Sequence, residues 1–103
     1  MSEQQKLFKH GGFSWRILEQ VFNKTNGACY YCGTIFPPDV VVYLNIDGEE
    51  NFHGYKRQWD VDHMLPISRG GNHKIENLVP ACKSCNNKKS SMTVQEFMEV
   101  LKS

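Results

Sequence analysis

The chain has 103 residues, 12 Lys+Arg against 11 Asp+Glu, four cysteines and four histidines. One domain fits that length. A mean hydropathy of −0.51, 12% aromatic residues and a longest apolar run of only Val40–Leu44 argue against a membrane span or a disordered chain, and a net charge of +1 taken alone argues against a nucleic-acid binder.

In chain order, residues 1–12 read as a flexible N-terminus, with no secretory pattern, ahead of a single domain over 13–103. Trp15, Leu18, Val21 and Phe22 recur at helical spacing, with Ser14 as N-cap and Gly27 as stop, which predicts a helix over 14–25. Pro37-Pro38 is a break. Val40–Ile46 reads as a strand closed by the hairpin signal Asp47-Gly48, with a return segment through Phe52 and a loop at Gly54. Trp59–His63 alternates apolar and polar as a half-buried strand does, and Pro66–Asn72, with Gly70-Gly71, is a loop. Leu78–Ala81 is a short strand. Thr93 and Glu96 form a capping box for a C-terminal helix ending near Lys102, with Phe97, Val100 and Leu101 inward.

The cysteines come as two C-x-x-C pairs, Cys29/Cys32 and Cys82/Cys85, with 49 residues between them. Two such pairs supply a tetrahedron of soft ligands for a structural Zn²⁺. In a reducing cytoplasm this is favoured over disulfides or a redox dithiol. The separation is wider than in a short zinc ribbon, so the ion would staple distant parts of a small core.

The stretch from Trp59 to Lys89 carries Asp62-His63, Pro66, Gly70-Gly71, Asn77-Leu78 and then Cys82-x-x-Cys85-Asn86 with lysines behind it. In that ordered set the chain resembles the HNH endonuclease family over residues 27–90. The resemblance implies an α+β fold: a small ββα-metal (His-Me finger) core with a four-cysteine zinc site. The N-terminal helix, the β-hairpin and the C-terminal helix lie outside it. It implies a metal-dependent DNA endonuclease in which His63 is the general base and Asn77 orients it, while Asp62 and Asn86 hold a catalytic Mg²⁺ or Mn²⁺. The third position of the motif, often histidine, is Asn86 here, which favours a hard ion over one preferring imidazole.

Elementary chemistry allows the same assignment. A histidine with a pKa of about 6.5 is largely neutral near pH 7 and can take a proton from water. Asp62 and Asn86 offer the oxygen donors that Mg²⁺ requires. One tension is that neighbours on a strand point to opposite faces; it eases if the strand twists or breaks at Met64, as the approaching Pro66 permits. Arg69, Lys83, Lys88 and Lys89 are the candidate phosphate contacts, His73 is a solvated loop residue, and His10 and His53 lie at the surface. The competing reading is a zinc-stabilised nucleic-acid or protein binding module without catalysis. The near-zero net charge also divides unevenly: residues 1–50 carry four basic and six acidic side chains, residues 51–91 seven and three. The basic excess thus falls on the candidate site, where phosphate would be neutralised. The partner implied is DNA, with no membrane. A homodimer or a larger phage or bacterial complex, in a bacterial or phage-infected cytoplasm, is compatible with this reading.

Overall fold

The computed structural model describes residues 12–102, so the expectations for residues 1–11, including His10, fall outside the described residues. The first helix, α1 (Trp15–Asn23), starts where Ser14 Oγ accepts a hydrogen bond from the Ile17 amide at 3.3 Å. Leu18 and Val21 are buried, whereas Trp15 and Phe22, expected on the same face, are 51% and 37% exposed and wall a cleft. Gly27 has φ +83°, and a Cβ there would meet the Phe22 ring at 2.7 Å, so the helix stop requires glycine on two counts. Just beyond the helix, the Lys24 ammonium donates to the carbonyls of Ile75 and Leu78, tying α1 to the far end of the chain.

The predicted hairpin forms from β1 (Val40–Ile46) and β2 (Glu49–Lys56). Asp47 and Gly48 both have positive φ, 52° and 81°, as a two-residue type I′ turn demands. Gly54 was expected in a loop but lies inside β2. The pairing steps from Val42↔Gly54 to Tyr43↔Phe52, so His53 is the extra residue of a bulge, which a neighbouring glycine accommodates. The ribbon is a separate two-stranded sheet.

The second sheet positions the site. β3 (Asp60–His63) pairs antiparallel with β4 (Leu78–Ala81) in the register Asp60↔Ala81 to His63↔Leu78. All four β4 residues are buried, between α1 on one side and the rest of the core. Two short 3₁₀ turns, Ile67–Arg69 and Ile75–Asn77, shape the intervening loop. Then come α2 (Lys83–Lys89) and α3 (Val94–Lys102). The capping box forms as predicted: Glu96 accepts from the Thr93 amide and Thr93 Oγ1 from the Glu96 amide. In α3 only Phe97 is fully buried, with Val94 and Met98 packed beside the core. Val100 and Leu101, expected inward, are 46% and 41% exposed, because the packing is made by the first half of the helix. Among the described residues, three helices and two antiparallel hairpins make a small α+β domain.

Candidate functional site

The sulfur cluster is built from two local turns. Residues 28–35 form a knuckle closed by an Ala28↔Ile35 bridge, in which the Gly33 amide donates to the Cys29 carbonyl and the Cys29 amide to Thr34 O, both at 2.9 Å. The Tyr30 amide then donates to the Pro80 carbonyl at 2.9 Å, which docks the knuckle on β4. Cys82 is the N-cap of α2, its sulfur accepting from the Cys85 amide. All four Sγ atoms lie within 4.8 Å of one another, and Cys32 and Cys82 are 3.9 Å apart. A tetrahedral zinc–thiolate shell with bonds of about 2.3 Å has sulfur–sulfur edges of about 3.8 Å. The four cysteines are therefore placed to bind a metal ion, and a small contraction satisfies zinc geometry. Hydrogen bonding from Thr34 holds the Cys32 thiol down at about 6, while burial pushes the Cys85 and Cys82 thiols up.

On β3 the alternation of a strand holds through His63, and the strand ends only after it. The break falls at Met64, where it was expected, yet Asp62 and His63 still point to opposite faces. Asp60 and Asp62 look toward α2: the Asn86 amide nitrogen donates to Asp60 Oδ2 at 3.3 Å, and Lys83 Nζ lies 3.2 Å from Asp60 Oδ1. Asp62 is 5% exposed; it accepts a hydrogen bond from the Tyr31 hydroxyl and lies 3.2 Å from the Lys89 ammonium. Burial and the Asp62 carboxylate push the Tyr31 phenol strongly up, so it stays a donor.

Lys89 also corrects an expectation. It was a candidate phosphate contact, but it is 0% exposed, and its Nζ donates to the His63 carbonyl at 2.9 Å as well as to Asp62. The reason is helical geometry. In α2, Cys85 and Lys89 are one turn apart on the face turned to the core, and Lys88 points outward. Of the other basic candidates, Lys83 is half exposed beside Asp60 and Arg69 is paired with Glu96.

His63 looks the other way. Its Nε2 is 3.0 Å from Nδ1 of His73, and the Phe13 ring sits 6.0 Å from both imidazoles. Burial lowers the His63 pKa below its ordinary value, and the His73 charge lowers it further. His73 is thus a partner of His63 rather than a free loop residue. Asn77, expected to orient His63, spends its side chain elsewhere: Oδ1 accepts from the Leu65 amide at 2.8 Å, and Nδ2 donates to the carbonyls of Leu65 at 3.0 Å and Asn72 at 2.9 Å. Asn77 clamps both ends of the loop carrying His73, and its backbone carbonyl accepts from the Met64 amide. Its influence on His63 runs through that loop. Gly71 completes the closure, since a Cβ there would overlap the Leu65 carbonyl.

The parts follow in order: a strand ending in Asp-His, an asparagine-clamped return loop and strand, and a helix opened by a C-x-x-C-Asn. Residues 49–92 match the family model described as HNH endonuclease. Over that segment, less than half of the chain, it is similar to HNH endonucleases. It is also similar to a Bacillus subtilis (strain 168) protein named "SPbeta prophage-derived putative HNH endonuclease YoqL", with 29% identity over 83 residues. That match covers 81% of this chain and 30% of the relative, so the chain spans less than a third of that protein's length. Within the HNH segment, β3, β4 and α2 make the ββα unit, and the N-terminal C-x-x-C supplies the other half of the sulfur cluster from outside it. Among the described residues no helix is long and apolar enough to cross a membrane.

The side of β3 facing α2 also fits a hard divalent ion in its donor chemistry. Asp60, Asp62 and Asn86 are oxygen ligands of the kind Mg²⁺ and Mn²⁺ take, and the Lys89 ammonium already stands against Asp62 as a positive charge. Asp62 and Asn86 are not joined to each other in this arrangement: the first is held by Lys89 and Tyr31, the second by Asp60.

Proposed function

We propose that the chain hydrolyses DNA phosphodiester bonds, with His63 as the general base. The observation that supports this most directly is the state of His63 within the HNH segment. It stands at the end of β3, only partly buried, with a lowered pKa that leaves it neutral at pH 7. Nε2 has one lone pair and faces His73 Nδ1 at 3.0 Å, so it acts as base when that contact opens: a water then gives its proton to Nε2 and becomes the nucleophile at phosphorus. The Lys89 bond to the His63 carbonyl fixes the backbone of the base from behind.

Lys83, Lys88 and Arg69 are the cations this reading assigns to the phosphate backbone; Lys89 acts from inside the fold. Asp62 and Asn86, with Asp60 beside them, would hold a divalent ion, which when bound neutralises charge at the phosphate and at the leaving oxygen. In the cysteine cluster Zn²⁺ is the ion proposed, and its role is structural. Supercoiled plasmid incubated with the protein in Mg²⁺, Mn²⁺ or EDTA tests the reading. Open-circular product with either ion and none in EDTA is expected. Binding without cutting under every condition would overturn it in favour of a zinc-stabilised binding module.

A further inference from the structure

Away from the histidine pair, α1, the Pro37-Pro38 segment and the start of β3 enclose a cleft of about 380 Å³. Its walls are aromatic: Trp15 and Phe22 from α1, with Phe36 and Trp59 stacked on each other at 5.8 Å and 18°. Arg57 lies across the Trp59 ring with its guanidinium carbon 4.8 Å from the centroid. Its Nε and Nη2 are buried and have no hydrogen-bond partner among the described residues. These two nitrogens form one edge of the guanidinium, the fork that grips two adjacent acceptors at once. A buried donor pair without an acceptor is costly, and a turn of the guanidinium toward the cleft would present it to a ligand carrying two neighbouring acceptors.

The other polar groups narrow the ligand. Glu19 and Asp39 line the same cleft, so one cation faces two carboxylates and an anion is disfavoured. A neutral planar heterocycle with acceptors on one edge and N–H donors on another matches both. Guanine has that pattern, with O6 and N7 for the arginine fork and N1–H and N2–H₂ for a carboxylate. Aromatic walls suit an unstacked base, and the volume takes a base with its sugar. The cleft is also on the side of β3 that carries His63. Phe13, just before α1, packs on His63, and Phe22, in its last turn, packs on Trp59 at 5.8 Å. Trp59 and His63 are four residues apart, about 13 Å along an extended strand, or about four base steps.

We propose that this cleft is a guanine-binding pocket that captures an unstacked base a few nucleotides from the bond presented to His63, with Arg57 as its specificity determinant. The inference rests on the DNA-cleavage reading, but its test does not. The chain's only two tryptophans, Trp15 and Trp59, both line the cleft, so their fluorescence reports occupancy directly. The protein is titrated with deoxyguanosine, deoxyadenosine, deoxycytidine and thymidine, and with glutamate as a plain carboxylate. Saturable quenching by deoxyguanosine at least tenfold tighter than by the other nucleosides is expected, and Arg57→Met should abolish that preference. Arg57→Lys, which keeps the charge but not the fork, should lose it too. Both variants should still fold cooperatively, with a modest drop in melting temperature from the lost contact with the Trp59 ring.

Equal quenching by all four nucleosides, a preference for glutamate, or an unchanged preference in Arg57→Met overturns the proposal. Selective quenching by a protein that never cuts plasmid would sustain the pocket while removing the nuclease reading. Cutting without any nucleoside quenching would do the reverse.

Discussion

Replacing Lys89 by methionine tests the interior of the site. The Lys89 side chain is 0% exposed and that of Asp62 6%, and their charged atoms are 3.2 Å apart. Methionine preserves most of the volume but removes the ammonium, together with its bond to the His63 carbonyl at 2.9 Å. Asp62 is left as a buried carboxylate with the Tyr31 hydroxyl as its remaining partner among the described residues. Breaking a buried pair from one side typically costs about 3–5 kcal/mol, because the surviving charge is uncompensated. A chain of this length has a total stability of roughly 5–15 kcal/mol. The melting temperature should therefore fall by at least about 12 °C, taking about 4 °C per kcal/mol as the low end for a domain of this size. Differential scanning calorimetry on metal-loaded protein measures it. The double variant Lys89→Met/Asp62→Leu, which removes both charges, should recover much of the loss. A single variant that melts within about 2 °C of the parent would mean that Lys89 is solvated and free for phosphate, and the account of β3 and α2 would be wrong.

Other outcomes follow from the same geometry. Cys29→Ser should lower zinc content measured by atomic absorption and strongly destabilise the fold, since a structural zinc contributes on the order of 10 kcal/mol; a stable, zinc-free variant would contradict the structural role. Gly71→Ala should cost roughly 1–3 kcal/mol in chemical denaturation, because the new methyl overlaps the Leu65 carbonyl that Asn77 also holds. The pH dependence has a definite sign. His63 takes up its proton less readily folded than unfolded, so the fold loses stability as pH falls below 6.5, and the base form persists under mildly acidic conditions. The plasmid-nicking rate should therefore show an acid-limb pKa below 6.5, and NMR of the imidazole carbons should show the same shift, reduced but not abolished in His73→Ala.

Much of this was legible in residues whose local chemistry is strong. Ser14, Asp47-Gly48 and Thr93/Glu96 set their caps and turn with no help from the rest of the chain, and each forms in the structure. The two C-x-x-C pairs announced their convergence because together they supply the four soft ligands of a tetrahedral zinc site. What sequence could not supply was direction. Period-two alternation said that Asp62 and His63 diverge, but not that α2 would bury Lys89 against one of them while the return loop brought His73 against the other. A clue was available for the second: pairing of His63 with Leu78 forces the residues between them to fold back on themselves, and Asn77 is placed to close that loop. No comparable signal marked Arg57 or Lys24, whose partners or lack of them depend on segments far away in the chain.

The central claim is that His63 performs proton abstraction in DNA cleavage. His63→Ala, loaded with zinc and assayed on supercoiled plasmid in Mg²⁺ and Mn²⁺ beside the parent, tests it most directly, with zinc content and melting temperature measured on the same preparations. The account predicts loss of nicking by on the order of a hundredfold or more, with metal content and melting little changed because His63 is only partly buried. Nicking at the parental rate by a normally folded His63→Ala protein would contradict it.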